Sequence, residues 1–330
     1  MGFISVMNKT LFLWLFVAYL VSSCSFKKDR LPDDSSSAAI NTIAVIIDDQ
    51  LWNGEVGDSI RNKFASPVLG LPQEEPLFTI NQYPVKLFEG FSTDSRNIII
   101  VKKDNENKFE IKKNEFATPQ NAFHISGKTS FEIIDILEKN APDIIKKMRA
   151  IEIVHNQKII KDSLLNTKKI QKKFNIDLLI PSKYEYVMRR RNFIWLKSEI
   201  VSGNKSLIIY QIPLKSIRPN NAVSDVVKVR DSIGRLYIHG SAYNTQMVTE
   251  EAYSPYFSKI ILNGDKTYET KGTWQMKNDF MSGPFINYVI FDKLHRRLLV
   301  LEGFCYAPSK EKRDLMFELE SIIKSIKIKK

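Results

Sequence analysis

Leu11–Val21 (LFLWLFVAYLV) is the one long uninterrupted apolar run in a chain of 330 residues. It falls short of the roughly 18 residues a membrane-crossing helix needs. Lys9 precedes it and Ser22-Ser23-Cys24 follow it, which is the order of charge, apolar core and small residues in a cleavable export signal. The remainder is expected to bury a core of its own in water. With 43% hydrophobic residues, 13 Gly and 13 Pro, it has the apolar side chains to do so and too few breakers for a disordered or collagen-like chain.

Val21-Ser22-Ser23-Cys24 resembles a bacterial lipobox. The resemblance implies a signal peptide over residues 1–23 and Cys24 as the lipidated first residue of the mature chain, carrying a thioether-linked diacylglycerol and an N-acyl chain such as palmitate. At about 0.8 kcal/mol per buried methylene, several such chains make a lasting membrane anchor. Cysteine usage agrees, because once Cys24 is acylated only Cys305 remains and no intramolecular disulfide can form. Alternation over Leu298–Cys305 puts Cys305 on the face of Leu299 and Leu301, so it reads as a small core residue and not a catalytic thiol. Removing Lys9 with the leader takes the net charge from +12 to +11, which favours anionic neighbours.

Residues 24–41 are polar and rich in Ser and Asp, and read as a flexible tether. An N-terminal α/β unit is expected over 42–175. It opens with the apolar run Thr42–Ile47, continues as a helix from Asp48-Asp49 to about Phe64, and is punctuated by Pro67, Pro72 and Pro76. Extended stretches at Leu77–Leu87, Asn97–Lys102 and Ala122–Ile125 complete a mixed sheet. From Thr129 to Ile170, apolar spacings of three and four predict a long joining helix restarted at Pro142.

A C-terminal α+β unit is expected over 176–330. Strands are predicted at Ile176–Ile180, Tyr184–Leu196 and Ser206–Ile212, and a helix at Ala222–Leu236. A meander through Thr273–Met276, Phe285–Phe291 and Arg297–Tyr306 leads to a terminal helix beginning at Pro308-Ser309, with Leu315, Leu319, Ile322 and Ile326 on one face. The fold class is thus α+β, two consecutive mixed-sheet units joined by a long helix. The order of elements in the second unit is similar to the α/β/α sandwich of the Mog1 and photosystem P-protein type.

Asp48-Asp49 stands at the end of the first strand, where open α/β sheets gather ligand and catalytic groups. Two carboxylates there could hold a divalent metal in a phosphatase-like hydrolase, or Asp49 could cap the helix with Asp48 at its positive end. Asp49–Ile60 fails as a calcium loop at its third and twelfth positions, Leu51 and Ile60. Gly127-Lys128-Thr129 lacks the first glycine of a phosphate loop. His124, His155, His239 and His295 have no metal-ligand spacing, so no metal or cofactor is expected. In Tyr186–Lys197, strand alternation places Arg189, Arg191 and Trp195 on one face, suited to phosphate, carboxylate or sugar ligands. Lys168-Lys169 and Lys172-Lys173 form a second basic cluster.

Together with the lipobox, the segments Asp48–Asp58, Gly70–Phe78 and Ser282–Phe285 resemble an uncharacterised Bacteroidota lipoprotein family, domain-of-unknown-function family 4837. That resemblance implies a lipid-anchored address in the cell envelope, at the outer membrane, and carries no catalytic residues. Gly70–Pro76 reads as a stiff exposed loop with two carboxylates and Gly283-Pro284 as a turn between strands, and either could be a docking surface or only punctuation. The expectation is a non-enzymatic binding or interaction module whose partners are the membrane and an envelope protein, anionic glycan or lipid head group. An exported address argues against nucleic acid.

Overall fold

The five residues of β1 (Thr42–Ile46) are all buried, as a strand covered on both faces should be. The structure, a computed structural model, describes residues 38–87 and 93–329. The expected leader, Cys24 and most of the tether lie outside the described residues. After β1 come α1 (Asp49–Trp52), α2 (Glu55–Phe64), β2 (Thr79–Tyr83), β3 (Asn97–Lys103), β4 (Lys108–Lys113), β5 (Asn121–Gly127) and α3 (Ser130–Lys161). The sheet order is β2-β1-β3-β5-β4, parallel except for β4. Val45, Ile99, Phe123 and Ile125 of the sheet pack with Ile60 and Phe64 of α2 and with Ile133, Leu137 and Ile144 of α3.

The long joining helix begins on a reciprocal cap. Thr129 Oγ1 accepts the Glu132 N–H at 3.2 Å, and the Glu132 carboxylate accepts the Thr129 N–H at 3.0 Å. It runs unbroken through Pro142, where a restart was expected. Pro142 lies on the exposed side, so the helix forgoes one hydrogen bond on its wet face while Leu137, Ala141, Ile144 and Met148 keep the inner face packed.

The second unit comprises α4 (Lys168–Phe174), β6 (Ile176–Asp177), β7 (Glu185–Arg190), β8 (Phe193–Ile200), β9 (Gly203–Pro213), α5 (Ala222–Tyr237), β10 (Gln246–Thr249), β11 (Tyr256–Leu262), β12 (Asp265–Lys277), β13 (Ser282–Asp292), β14 (Arg297–Tyr306), α6 (Arg313–Lys324) and β15 (Lys327–Ile328). Its antiparallel sheet has the order β10-β12-β13-β14-β9-β8-β7, with β11 also on β12. Alternation sorts the two faces. Leu299 and Leu301 pack with Leu319, Ile322 and Ile323 of α6, whereas Leu298 and Val300 pack with Ala222 and Val226 of α5. The protein is therefore mixed α+β. Ile170 and Phe174 of α4, counted with the first unit in the sequence reading, sit in the α6-side core of the second.

Gly283-Pro284 is not a turn but the start of β13, paired with Trp274 and Thr273 of β12. A Cβ on Gly283 would stand 2.1 Å from the Cys305 carbonyl oxygen, so only glycine lets β13 and β14 approach there.

Polar contacts join the two units. The Glu75 carboxylate, 7% exposed, accepts the N–H groups of Lys312 at 2.8 and 2.9 Å and of Arg313 at 2.7 Å, capping α6 from the Pro-rich loop. Gly70 of the same loop, at φ 85°, lies so close to β12 that a Cβ would meet that of Lys271 at 2.9 Å. Pro72, Gln73, Glu74 and Pro76 of the loop are exposed as expected, but through Glu75 and Gly70 the loop clamps the second unit. Asn41, expected to belong to the tether, is fully buried; it donates its backbone N–H to Glu152 at 3.1 Å and its side-chain amide to Asp314 at 2.8 Å. Arg149 of α3 reaches Glu320 of α6 at 2.5 Å and stacks over Phe317. Burial works to raise the Glu320 pKa, but Arg149, Lys271 and Lys324 outweigh it and hold the carboxyl well below the usual range.

Candidate functional site

Asp48 occupies the N-cap position of α1 with extended backbone and no side-chain cap bond, and Asp49 is the first helical residue. The capping role expected of Asp49 is therefore absent. Both side chains are exposed, and among the described residues their one side-chain partner is Gln82, 3.4 Å from Asp49. Among the described residues no three His, Cys, Asp or Glu side chains converge closely enough to hold a metal ion. The further acidic pair that a metal-dependent hydrolase needs does not gather at Asp48 and Asp49.

Arg189, Arg191 and Trp195 do not share a face. Residues Arg191-Asn192 form a two-residue turn, so what reads as one strand from Tyr184 to Leu196 is the hairpin β7–β8. Its register pairs Arg189 with Ile194 and Met188 with Trp195, which puts Arg189 on the α6 side and Trp195 on the α5 side. The Trp195 indole donates to Ser206 Oγ at 3.1 Å and lies tilted against Phe304, a packing role. Arg191 stands at the exposed tip.

The hairpin instead meets α4. Ile170 and Phe174 anchor the inner face of that short helix, which leaves Lys168, Lys169 and Lys172 exposed on the outer one. Asn175 in the left-handed conformation, φ 55°, ends the helix and turns the chain into β6. Lys173 Nζ donates to the carbonyl oxygens of Arg190 at 2.8 Å and Arg191 at 3.1 Å, and the Lys169 ammonium lies 5.2 Å from the centre of the Tyr186 ring. The two basic clusters of the sequence thus meet in one surface, made of Lys168, Lys169, Lys172 and Lys173 with Arg189 and Arg191, while Arg190, paired with Phe193, lies on the α5 side. None of these six cations is paired with a carboxylate among the described residues.

A buried network holds this end in place. Asp292 accepts from Arg297 Nε at 2.8 Å and lies 2.8 Å from His295 Nδ1. Burial works to raise its pKa, but the donors Arg297 and His295 prevail and hold it below the usual carboxylate range. Arg297 extends to the Phe174 carbonyl at the end of α4 and to Gln211 at 2.6 Å; Gln211 in turn reaches Asn192 in the hairpin turn at 3.3 Å. His295 is 3.0 Å from the Asn175 amide. Helix end and hairpin tip therefore share one frame, the arrangement that preorganises a binding surface. The spacing 168, 169, 172, 173 and the turn-favouring Asn192 were the available sequence signals, but neither specified that the two elements meet.

Cys305 is fully buried beside Leu299 and Leu301, and burial pushes its thiol from 9.0 up to about 12. Such a thiol cannot serve as a nucleophile at neutral pH. Because the folded pKa lies above the unfolded one, the contribution of the protonated thiol is complete below about pH 9 and is lost as pH rises towards 12. In a Cys24→Ala background, the stability advantage of Cys305 over Cys305→Ala is expected to be flat below pH 9. Above it the advantage should shrink by about 1.4 kcal/mol per pH unit. Urea melts at a series of pH values check this, and a difference that stays constant through pH 10.5 would refute it.

Residues 36–161 match a domain of unknown function (DUF8532), and residues 163–325 match a second, DUF4837. The two matches meet at the end of α3. No curated protein matches the chain. Among solved structures, a variant of the protein Mog1 is similar at 10% identity over 46% of this chain and 90% of its own, with a TM-score of 0.30. The Saccharomyces cerevisiae Ran-binding protein Mog1p is similar at 10% identity over 46% of this chain and 89% of its own, with a TM-score of 0.29.

Proposed function

We propose that this chain, built from two segments that match domains of unknown function, is a non-enzymatic binding module of the cell envelope. It is held by lipid on Cys24 at the outer membrane and binds anionic ligands through the basic end of its second unit. The observation that carries this reading is the set of six cations from α4 and the β7–β8 hairpin, none neutralised by a carboxylate among the described residues, on a frame fixed by Asp292 and Arg297. An uncompensated patch of one sign attracts polyanions at long range and loses strength as salt screens it. Arginine forks add paired hydrogen bonds to phosphate or carboxylate groups.

Two measurements test it. Fractionation of cells producing the full chain is expected to leave the protein in detergent-extractable membranes, with incorporation of labelled palmitate, and Cys24→Ala is expected to release it and abolish labelling. In the Cys24→Ala chain, binding to heparin, used as a polyanion probe, should weaken steadily with salt. Arg189→Ala with Arg191→Ala should lower affinity by roughly tenfold, consistent with up to about 1 kcal/mol per surface cation. Trp195→Phe should leave binding unchanged, because Trp195 lies on the other face. Equal heparin affinity in the double variant would dispose of the basic end as the site, and an unlabelled, soluble full chain would dispose of the anchor.

A further inference from the structure

At the far edge of the second sheet, an open cleft of about 730 Å³ lies between α5, β10 and the turn that follows β12. Its volume falls in the range of small-ligand sites. Register builds one wall. Gln246 pairs with Lys277 and Val248 with Gln275, so these four side chains share a face of the β10–β12 ribbon. Asp231 enters from α5, with Oδ1 accepting the Thr249 N–H at 2.7 Å and the Thr249 hydroxyl at 2.8 Å, which fixes the carboxylate and leaves Oδ2 uncommitted. Behind it Arg230 and Glu302, both fully buried, form an ion pair at 3.0 Å that keeps the supporting wall rigid.

The cleft side chains are unusually free. Gln246, Gln275 and Glu251 line the cleft with no side-chain hydrogen bond to the rest of the described protein. Each amide offers a donor pair and an acceptor, and the carboxylate offers acceptors alone. At the rim, Asn278, at φ 61°, donates its amide to the Asn244 carbonyl at 2.9 Å and so joins two loops. Those loops carry Phe280, fully exposed, and Tyr243, 98% exposed. Phe280 itself lines the cleft, so its bare ring is open to a ligand that enters there.

We propose that this cleft binds a neutral oligosaccharide, with a ring face of the sugar resting on Phe280 and vicinal hydroxyls held by Gln246, Gln275 and the Asp231 and Glu251 carboxylates. Charge decides against an anionic ligand, since Asp231, Glu251 and Asp279 outnumber Lys277. Geometry gives no support to a metal ion, since among the described residues no three His, Cys, Asp or Glu side chains converge. A protein partner would favour an apolar centre with a polar rim, whereas this lining is mostly amides and charged groups, with Val248, Met276 and Phe280 its apolar members. The site is separate from the basic end and does not depend on it.

The test uses the Cys24→Ala chain on an array of neutral and anionic oligosaccharides, followed by calorimetric titration with the neutral oligosaccharide retained most strongly. Binding is expected to persist at about 0.5 M salt, where a screened electrostatic contact would fade. Phe280→Ala and Gln275→Ala should each weaken it at least tenfold, while Arg189→Ala with Arg191→Ala should leave it unchanged. Phe280 makes no packing contact that folding needs, so its variant separates loss of binding from loss of structure. The proposal is overturned if no neutral oligosaccharide is retained, if retention is confined to anionic ones, or if the cleft variants bind within twofold of the parent. Retention of peptides alone on a parallel peptide array would assign the cleft to a protein partner and overturn it equally.

Discussion

Replacing Glu152 by Ala is expected to destabilise the fold by about 3–5 kcal/mol, the range for removing one partner of a buried ion pair. Glu152 is fully buried in α3 and takes a two-pronged contact from Arg96, Nε to Oε1 and Nη2 to Oε2, both at 3.0 Å. It also accepts the Asn97 amide at 3.0 Å and the Asn41 backbone N–H at 3.1 Å. Ala at this position would leave the guanidinium with the Ala39 carbonyl alone and strand a side-chain amide and a peptide N–H away from water, and the desolvation of the uncompensated cation dominates. Arg96 Nη1 already lacks a partner, so the site has no spare acceptor to take over. The double change Arg96→Met with Glu152→Leu should recover much of the loss, because it removes both charges while keeping volume. Chemical denaturation of the three proteins measures this; a single variant within 1 kcal/mol of the parent would show that water enters and solvates Arg96.

Glu75→Ala should cost about 2–3 kcal/mol, from charge-assisted hydrogen bonds to the Lys312 and Arg313 N–H groups and from the lost interaction with the positive end of α6. Its consequence is not only local. Glu75 belongs to the loop between α2 and β2, and α6 belongs to the core of the second unit, so the variant loosens the join between units. Hydrogen exchange should quicken in the first turn of α6 and in the loop, while β13 and β14 at the centre of the second sheet keep their protection. Glu75→Gln, which retains an acceptor without the charge, should lose about half as much. If the Ala variant unfolds at the parent's midpoint, the loop is a passive connection after all.

The candidate sites show how far sequence periodicity carries an argument about function. Arg189 and Arg191 were legible as exposed cations because guanidinium groups are rarely buried without a partner. Their supposed partner Trp195 was not, because a two-residue reversal shifts the parity of everything that follows it. The lysines of α4 were legible as the wet side of a helix, but their meeting with the hairpin depends on Lys173 reaching carbonyls 17 and 18 residues away. The oligosaccharide cleft was invisible to motif reading, since its amides and carboxylates come from α5, β10, the loop after it and β12, with no fixed spacing among them.

What the amino-acid order determined by itself is whatever a few neighbouring residues can decide. It set the strand at Thr42, the helix from Thr129, the amphipathic terminal helix, the face on which Cys305 lies, and the export-signal pattern ahead of Cys24. Helix and strand periods, and caps three residues apart, are local energetic preferences that survive outside any particular fold. Only the tertiary structure decided that the Glu75 loop clamps α6 across 237 residues, that Asn41 belongs to the core, and that two lysine and arginine clusters form one surface. Those outcomes rest on desolvation. Once packing excludes water, each buried carboxylate must find its donors wherever the chain brings them, and distance along the sequence no longer counts.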